Sequence, residues 1–187
     1  AFMAQVPERV LVLLDEAYFE YACHLSDYPD SMHYRYDNVI TLRTFSKAHG
    51  LAGFRVGYGF AHEDLIENLN KVKLPFEPSW PGQVAAVAAL DDSEFIRQTV
   101  INCHTEMTKM EQAFQEFEIK TIPSAANFIT LVFPSEKEAY FLNERMLHQG
   151  IILRHLTGWG LPNCVRLTVG TKEEHKYVMK SILSEKK

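Results

Sequence analysis

A lysine set among hydroxyls, with an arginine a short way downstream, is the chemically richest point of this chain. Lys47 follows Thr44, Phe45 and Ser46, precedes the small residues Ala48, Gly50, Ala52 and Gly53, and has Arg55 eight positions on. An amine attacks a carbonyl only when neutral, so a reactive Lys47 needs its pKa pulled below the ~10.4 of a free lysine. Such an amine can form a Schiff base with an aldehyde cofactor, while neighbouring hydroxyls and a guanidinium hold that cofactor's phosphate. Arginine suits that task better than lysine because its planar fork meets a dianion with two parallel hydrogen bonds.

The elements around these residues are readable from pattern. The apolar, β-branched run from Val39 to Leu42 predicts a strand that delivers Thr44–Lys47 at its end, and a second short run extends from Phe54 to Phe60. Val10–Leu14 is continuously apolar, as expected for a parallel strand covered on both faces, and it ends in Asp15-Glu16-Ala17-Tyr18. Ligands of open α/β sheets sit beyond the carboxyl ends of strands, so Asp15 and Tyr18 stand where chemistry is done. Residues 24–37 read as a polar connection. Helical spacing is expected over 62–73, and a buried alanine-rich helix over 83–90 after the prolines Pro75, Pro78 and Pro81. Asp91-Asp92-Ser93-Glu94 opens a long amphipathic helix to about Phe117. An α+β pattern follows: strand 127–133, helix 136–149 ended by Gly150, strand 151–156, a turn-rich segment over 157–163, strand 165–169, and a helix from Lys172 to the end. The expected division is 1–91 and 92–187.

The stretch T-F-S-K-A-H-G-L-A-G-F-R-V-G-Y resembles the pyridoxal-phosphate lysine segment of fold-type I aminotransferases, and within them the histidinol-phosphate aminotransferase group. The resemblance runs over essentially the whole chain but covers only the C-terminal half or so of such an enzyme. It implies an α/β fold: part of the large cofactor-binding domain with a mainly parallel sheet, then the small α+β domain. It makes Lys47 the catalytic residue. Asp15-Glu16-Ala17-Tyr18 matches the family's D-x-A-Y, which implies that Asp15 keeps the pyridine nitrogen protonated and that Tyr18 bonds the phenolic oxygen. Ser46 and Arg55 match phosphate-binding positions, and Thr44 sits where relatives often carry a phosphate-binding serine. Arg166, in Val165-Arg166-Leu167-Thr168-Val169, looks like the arginine that clamps a substrate carboxylate; Arg154 occupies the place that holds the substrate phosphate. Asn127, in Ser124–Phe128, resembles an element near the substrate.

The implied reaction moves an amino group between histidinol phosphate and 2-oxoglutarate, a step of histidine biosynthesis, in a homodimer. An aromatic-amino-acid aminotransferase would share every motif, and a threonine-phosphate decarboxylase would keep Lys47, Asp15 and Arg55. A reading of another class is an inactive fragment acting at most as a binding or dimerisation module.

Composition narrows the field further. A net charge of −5 with no basic cluster gives no footing for nucleic acid or an anionic membrane. The longest apolar run, Val84–Leu90, is far below the roughly 20 residues of a membrane span. No signal peptide is visible, and the three cysteines at scattered spacings predict neither a disulfide framework nor a CxxC site, so a cytoplasmic setting is expected. The eight histidines show no metal-ligand spacing and are expected to be mostly solvated, with no metal bound.

Overall fold

The structure, a computed structural model, describes residues 2–183. It divides into two compact units, one reaching Arg97 and the other beginning at Gln98.

The first unit is built on a three-stranded sheet in the order β1 (Val12–Asp15), β2 (Val39–Thr44), β3 (Gly57–Ala61). Strands β1 and β2 are parallel, with Val12 beside Val39 and Asp15 beside Leu42. Strand β3 then folds back antiparallel, so this sheet has one pairing of each kind where a mainly parallel one was expected. The crossover from β1 to β2 holds a single helical turn, α1 (Phe19–Ala22), and a 3-10 turn over Ser31–His33 capped by Asp30. Val39, Ile40, Phe45, Val56 and Ala86 fill the interior. Strand β1 is not covered on both faces: Leu11 and Leu13 are 45% and 59% exposed, alternating with half-buried Val12 and Leu14.

Helix α2 (Glu63–Val72) follows β3, and α3 (Trp80–Asp91) starts at Ser79, whose hydroxyl accepts from the Gly82 amide. Pro81 falls in the first turn of α3, where its missing N–H would have no helical partner anyway, so the helix begins inside the proline-rich stretch. Only one side of α3 is buried, through Gly82 and Ala86, while Val84, Val87 and Leu90 are exposed. The expectation of a buried helix holds for that one stripe.

Asp92 interrupts the helical run and accepts from the Phe95 amide, opening α4 (Ser93–Glu116). In the second unit Cys103, Met107, Met110 and Phe114 lie three to four residues apart and bury one face of α4. Burial pushes the Cys103 thiol up to about 11, and none of the three cysteines is in a disulfide. The sheet here is antiparallel throughout, in the order β4 (Lys120–Ile122), β5 (Phe128–Val132), β7 (Cys164–Thr168), β6 (Arg154–His155). Helix α5 (Glu136–His148) is capped by Ser135, and α6 (Lys172–Leu183) closes the described chain. The expected continuation of α6 to the terminus lies outside the described residues.

Two strands differ from expectation. Strand β4 has only three residues and carries no pattern long enough to read. The strand expected over 151–156 shrinks to two residues because the end of α5 takes Ile151: its amide bonds the Met146 carbonyl while Gly150, at φ 77°, turns the chain.

Candidate active site

Because β1 and β2 run parallel, their carboxyl ends lie side by side, and the residues just beyond them share one end of the sheet. Asp15 lies opposite Leu42, and the Glu16 amide bonds the Leu42 carbonyl at 2.9 Å. Asp15 is exposed, with one carboxylate oxygen accepting from the Ala17 amide at 3.1 Å. That bond starts the turn which brings Tyr18 over the end of β2, where the Lys47 Nζ lies 5.2 Å from the Tyr18 ring centroid. Amine, carboxylate and phenol therefore come from two strand ends.

The segment carrying Lys47 is held from both sides. Phe45 and Ala48 are buried at 3% and 1% exposure, which turns half-buried Ser46 and Lys47 the other way. Backbone bonds tie it down: Phe45 donates to Val56, Leu51 donates to Phe45, and the Gly50 amide closes a turn on the Lys47 carbonyl at 3.0 Å. The Thr44 hydroxyl accepts from the Ser46 amide at 3.1 Å, so the two hydroxyl residues expected to bind phosphate are neighbours in space. Arg55 ends a 3-10 turn over Ala52–Phe54 in left-handed backbone, φ 53° and ψ 47°. For a residue with a Cβ this costs about 1–2 kcal/mol, and such strain concentrates at functional sites. Its guanidinium is exposed and bonds the Ala52 carbonyl.

The three expected substrate residues lie in the second unit. Arg154 and Arg166 are directly opposed across β6 and β7, and Thr130 opposes Arg166 from β5. Opposed residues share a face of the sheet, so two positive charges sit together, an arrangement that is unfavourable without an anion. The Arg166 guanidinium lies 4.9 Å over the Phe128 ring, and its Nε is buried without a hydrogen-bond partner. Arg154 is exposed, 6.0 Å from the Trp159 ring. Asn127 precedes β5, where its carbonyl accepts from the Val169 amide.

Several charged groups lie outside the residues expected from the sequence. Arg43, Glu16 and Asp30 form a network on the opposite side of the sheet from Asp15. Its trace was present: Arg43 alternates with Val39 and Thr41, so a charge had to point inward and find a partner. His49 packs against Phe45 with tilted rings 4.8 Å apart, its Nδ1 3.9 Å from a Glu20 carboxylate oxygen. Buried Glu106 is held by Lys109 and His175, which keep its carboxyl below the usual carboxylate range. Four histidines, His49, His104, His155 and His175, are half-buried, so solvation describes only the other four. No cluster of metal-ligating side chains occurs among the described residues, and no described helix is long and apolar enough to cross a membrane.

Known proteins share this chain's sequence and fold. Histidinol-phosphate aminotransferase 2 of Carboxydothermus hydrogenoformans is 44% identical over 172 residues, 91% of this chain and 47% of that protein. The histidinol-phosphate aminotransferase of Bacillus subtilis strain 168 is 41% identical over 187 residues, 99% of this chain and 51% of its own. The crystal structure of histidinol-phosphate aminotransferase from Sinorhizobium meliloti, in complex with pyridoxal-5'-phosphate, superposes with a TM-score of 0.88 at 28% identity, covering 98% of this chain and 50% of that one. The chain thus spans about half the length of the relatives it matches, and shares their fold over that span. The family model of aminotransferase class I and II matches residues 2–182, nearly all of both units, and the chain belongs to that family.

Proposed function

We propose that this chain carries the lysine-bearing portion of a pyridoxal-phosphate-dependent aminotransferase that exchanges an amino group between histidinol phosphate and 2-oxoglutarate, in histidine biosynthesis. The observation that carries the reading is the Lys47 amine beside the Tyr18 ring, at the strand end that also presents Asp15. The residues present fit the cofactor in charge and kind: an exposed carboxylate for a ring nitrogen, a phenol for a ring oxygen, and Thr44, Ser46 and Arg55 for a phosphate. When bound, pyridoxal phosphate supplies an aldehyde for the lysine and a protonated ring that draws electrons from the substrate α-carbon.

This chain's own groups do the rest. The Asp15 carboxylate favours a proton on the pyridine nitrogen by charge pairing. With the cofactor in place, Lys47 Nζ would serve as the base that accepts a proton from the donor's α-carbon. The opposed guanidiniums favour anionic substrates: Arg154 takes the phosphate of histidinol phosphate and Arg166 the carboxylate of 2-oxoglutarate. The half-buried setting and unpaired Nε of Arg166 support a demand for an anion there.

The test is an absorbance titration of the purified chain with pyridoxal phosphate, repeated with Lys47→Ala. A band near the visible edge that needs Lys47 and bleaches with histidinol phosphate, but not with phenylalanine or threonine phosphate, is the expected outcome. A band indifferent to the substitution, or no band, refutes the reading for this chain. Bleaching by phenylalanine instead replaces the substrate, and carbon dioxide release from threonine phosphate replaces the reaction.

A further inference from the structure

Two carboxylates stand next to each other at the end of β1, and only one of them faces the candidate site. Glu16 is buried at 6% exposure while Asp15 is exposed. The difference follows from Arg43 on β2. Its Nε and Nη2 both donate to one oxygen of Glu16, at 3.0 and 2.8 Å, and Nη2 also donates to Asp30 at 2.7 Å. The guanidinium lies 3.4 Å over the ring of Phe19, the first residue of α1. Arg43 thereby joins β2 to the end of β1, to α1 and to the crossover.

Side chains alternate across a strand, so pinning Glu16 and Arg43 on one face leaves Asp15, Leu42 and Thr44 on the other. A slip of one residue would exchange the two carboxylates and bury Asp15. Asp30 adds a second restraint, since the oxygen that takes Arg43 also accepts from the Met32 amide. The side chains of Arg43 and Glu16 are only 5% and 8% exposed. A charge pair buried so far regains little net stability over apolar residues of like volume, whereas its directional bonds admit few alternative registers.

From this geometry we infer that Arg43 and Glu16 are positioning residues: the pair selects Asp15 as the site carboxylate and sets it and Tyr18 in register with Thr44–Lys47. The inference deepens the cofactor-binding reading and rests on it for the meaning of the site. Its physical content, the locking of two segments by one buried pair, does not need the cofactor.

The experiment replaces the pair together, Glu16→Met with Arg43→Met, alongside Arg43→Lys alone, and measures three things. Thermal unfolding of the double variant is expected to stay at or above the wild-type temperature, since apolar replacement relieves the desolvation of both charges. Amide exchange in the cofactor-free chain is expected to speed up by about tenfold or more over 15–18 and 45–51 while the centre of β2 stays protected. Pyridoxal-phosphate affinity, read well below the unfolding temperature, is expected to fall about tenfold to hundredfold, the worth of one charge-assisted contact. A purely structural role would lower the unfolding temperature and leave local exchange and affinity alone, and that result overturns the inference. Should the double variant fail to fold, Arg43→Lys is read the same way, because lysine keeps the charge and lacks the fork. Equal cofactor binding by wild type and Lys47→Ala would sink the functional reading, while the exchange measurement would still decide the positioning role.

Discussion

Strand β3 comes so close to β2 that one added methyl group reports on the geometry of the Lys47 segment. Gly57 lies opposite Thr44, the last residue before Phe45-Ser46-Lys47. A Cβ on residue 57 would sit 2.8 Å from the Arg43 carbonyl oxygen, 3.5 Å from the Thr44 Cα and 3.8 Å from the Arg43 carbonyl carbon. To reach ordinary contact at 3.4 Å the strands must part by about 0.6 Å, because the obstructing atom is backbone and cannot rotate away. The bond next in line, from the Phe45 amide to the Val56 carbonyl, is already 3.2 Å long and would weaken. Overpacking of this kind costs about 1–3 kcal/mol, against which alanine recovers about 0.5–1 kcal/mol of the chain entropy that glycine loses. Gly57→Ala should therefore destabilise the fold by a net ~1–2 kcal/mol in urea unfolding. Gly59→Ala is the milder comparison: its nearest contacts are the Leu42 Cδ2 at 3.1 Å, a side-chain tip on an exposed face that can swing aside, and the Thr41 carbonyl oxygen at 3.3 Å, which asks for a shift of only about 0.1 Å. Equal stability of Gly57→Ala and wild type, or a larger loss at Gly59, would refute the reasoning.

Three further outcomes follow from the second unit. Phe114 is fully buried at 0% exposure, so Phe114→Ala should cost about 3–5 kcal/mol by denaturant unfolding. The Glu106 carboxyl is lowered by hydrogen bonds from His175 and then Lys109, which outweigh its burial. A depressed carboxyl stabilises the fold above its unfolded-state pKa, and that contribution is lost as pH falls through the folded value. His175→Ala should flatten the acid limb of stability against pH, and an unchanged limb would remove Glu106 from its cause. Under the proposed transamination, Arg166→Met should raise KM for the oxo-acid substrate about tenfold to hundredfold with a smaller change in kcat, read by steady-state kinetics.

Local chemistry made much of this molecule legible. The strand ending at Thr44, the helix start at Asp92, the buried stripe of α4 and the turn at Gly150 all follow from residues acting on their near neighbours, where periodicity and capping speak directly. The placement of Asp15, Tyr18, Thr44, Ser46 and Lys47 just beyond two strand ends was legible too, because the apolar runs before them mark the strands; their roles are those the family resemblance implies.

Other features depended on partners distant in sequence. Nothing local to Asp15-Glu16 says which carboxylate turns inward; that is decided by Arg43, 27 residues further on. Nothing near Arg154 says that Arg166 lies opposite it, or that β6 has only two residues because α5 ends as it does. The sidedness of β1 and α3, expected to be buried and found half-exposed, is likewise a matter of which neighbours reach each face. The sequence by itself determined the kinds of groups available and the segments that present them, because side-chain chemistry and backbone propensity are short-ranged. Only the tertiary structure decided which carboxylate is exposed and which charges are paired, because register and burial are settled by strands brought together from far along the chain.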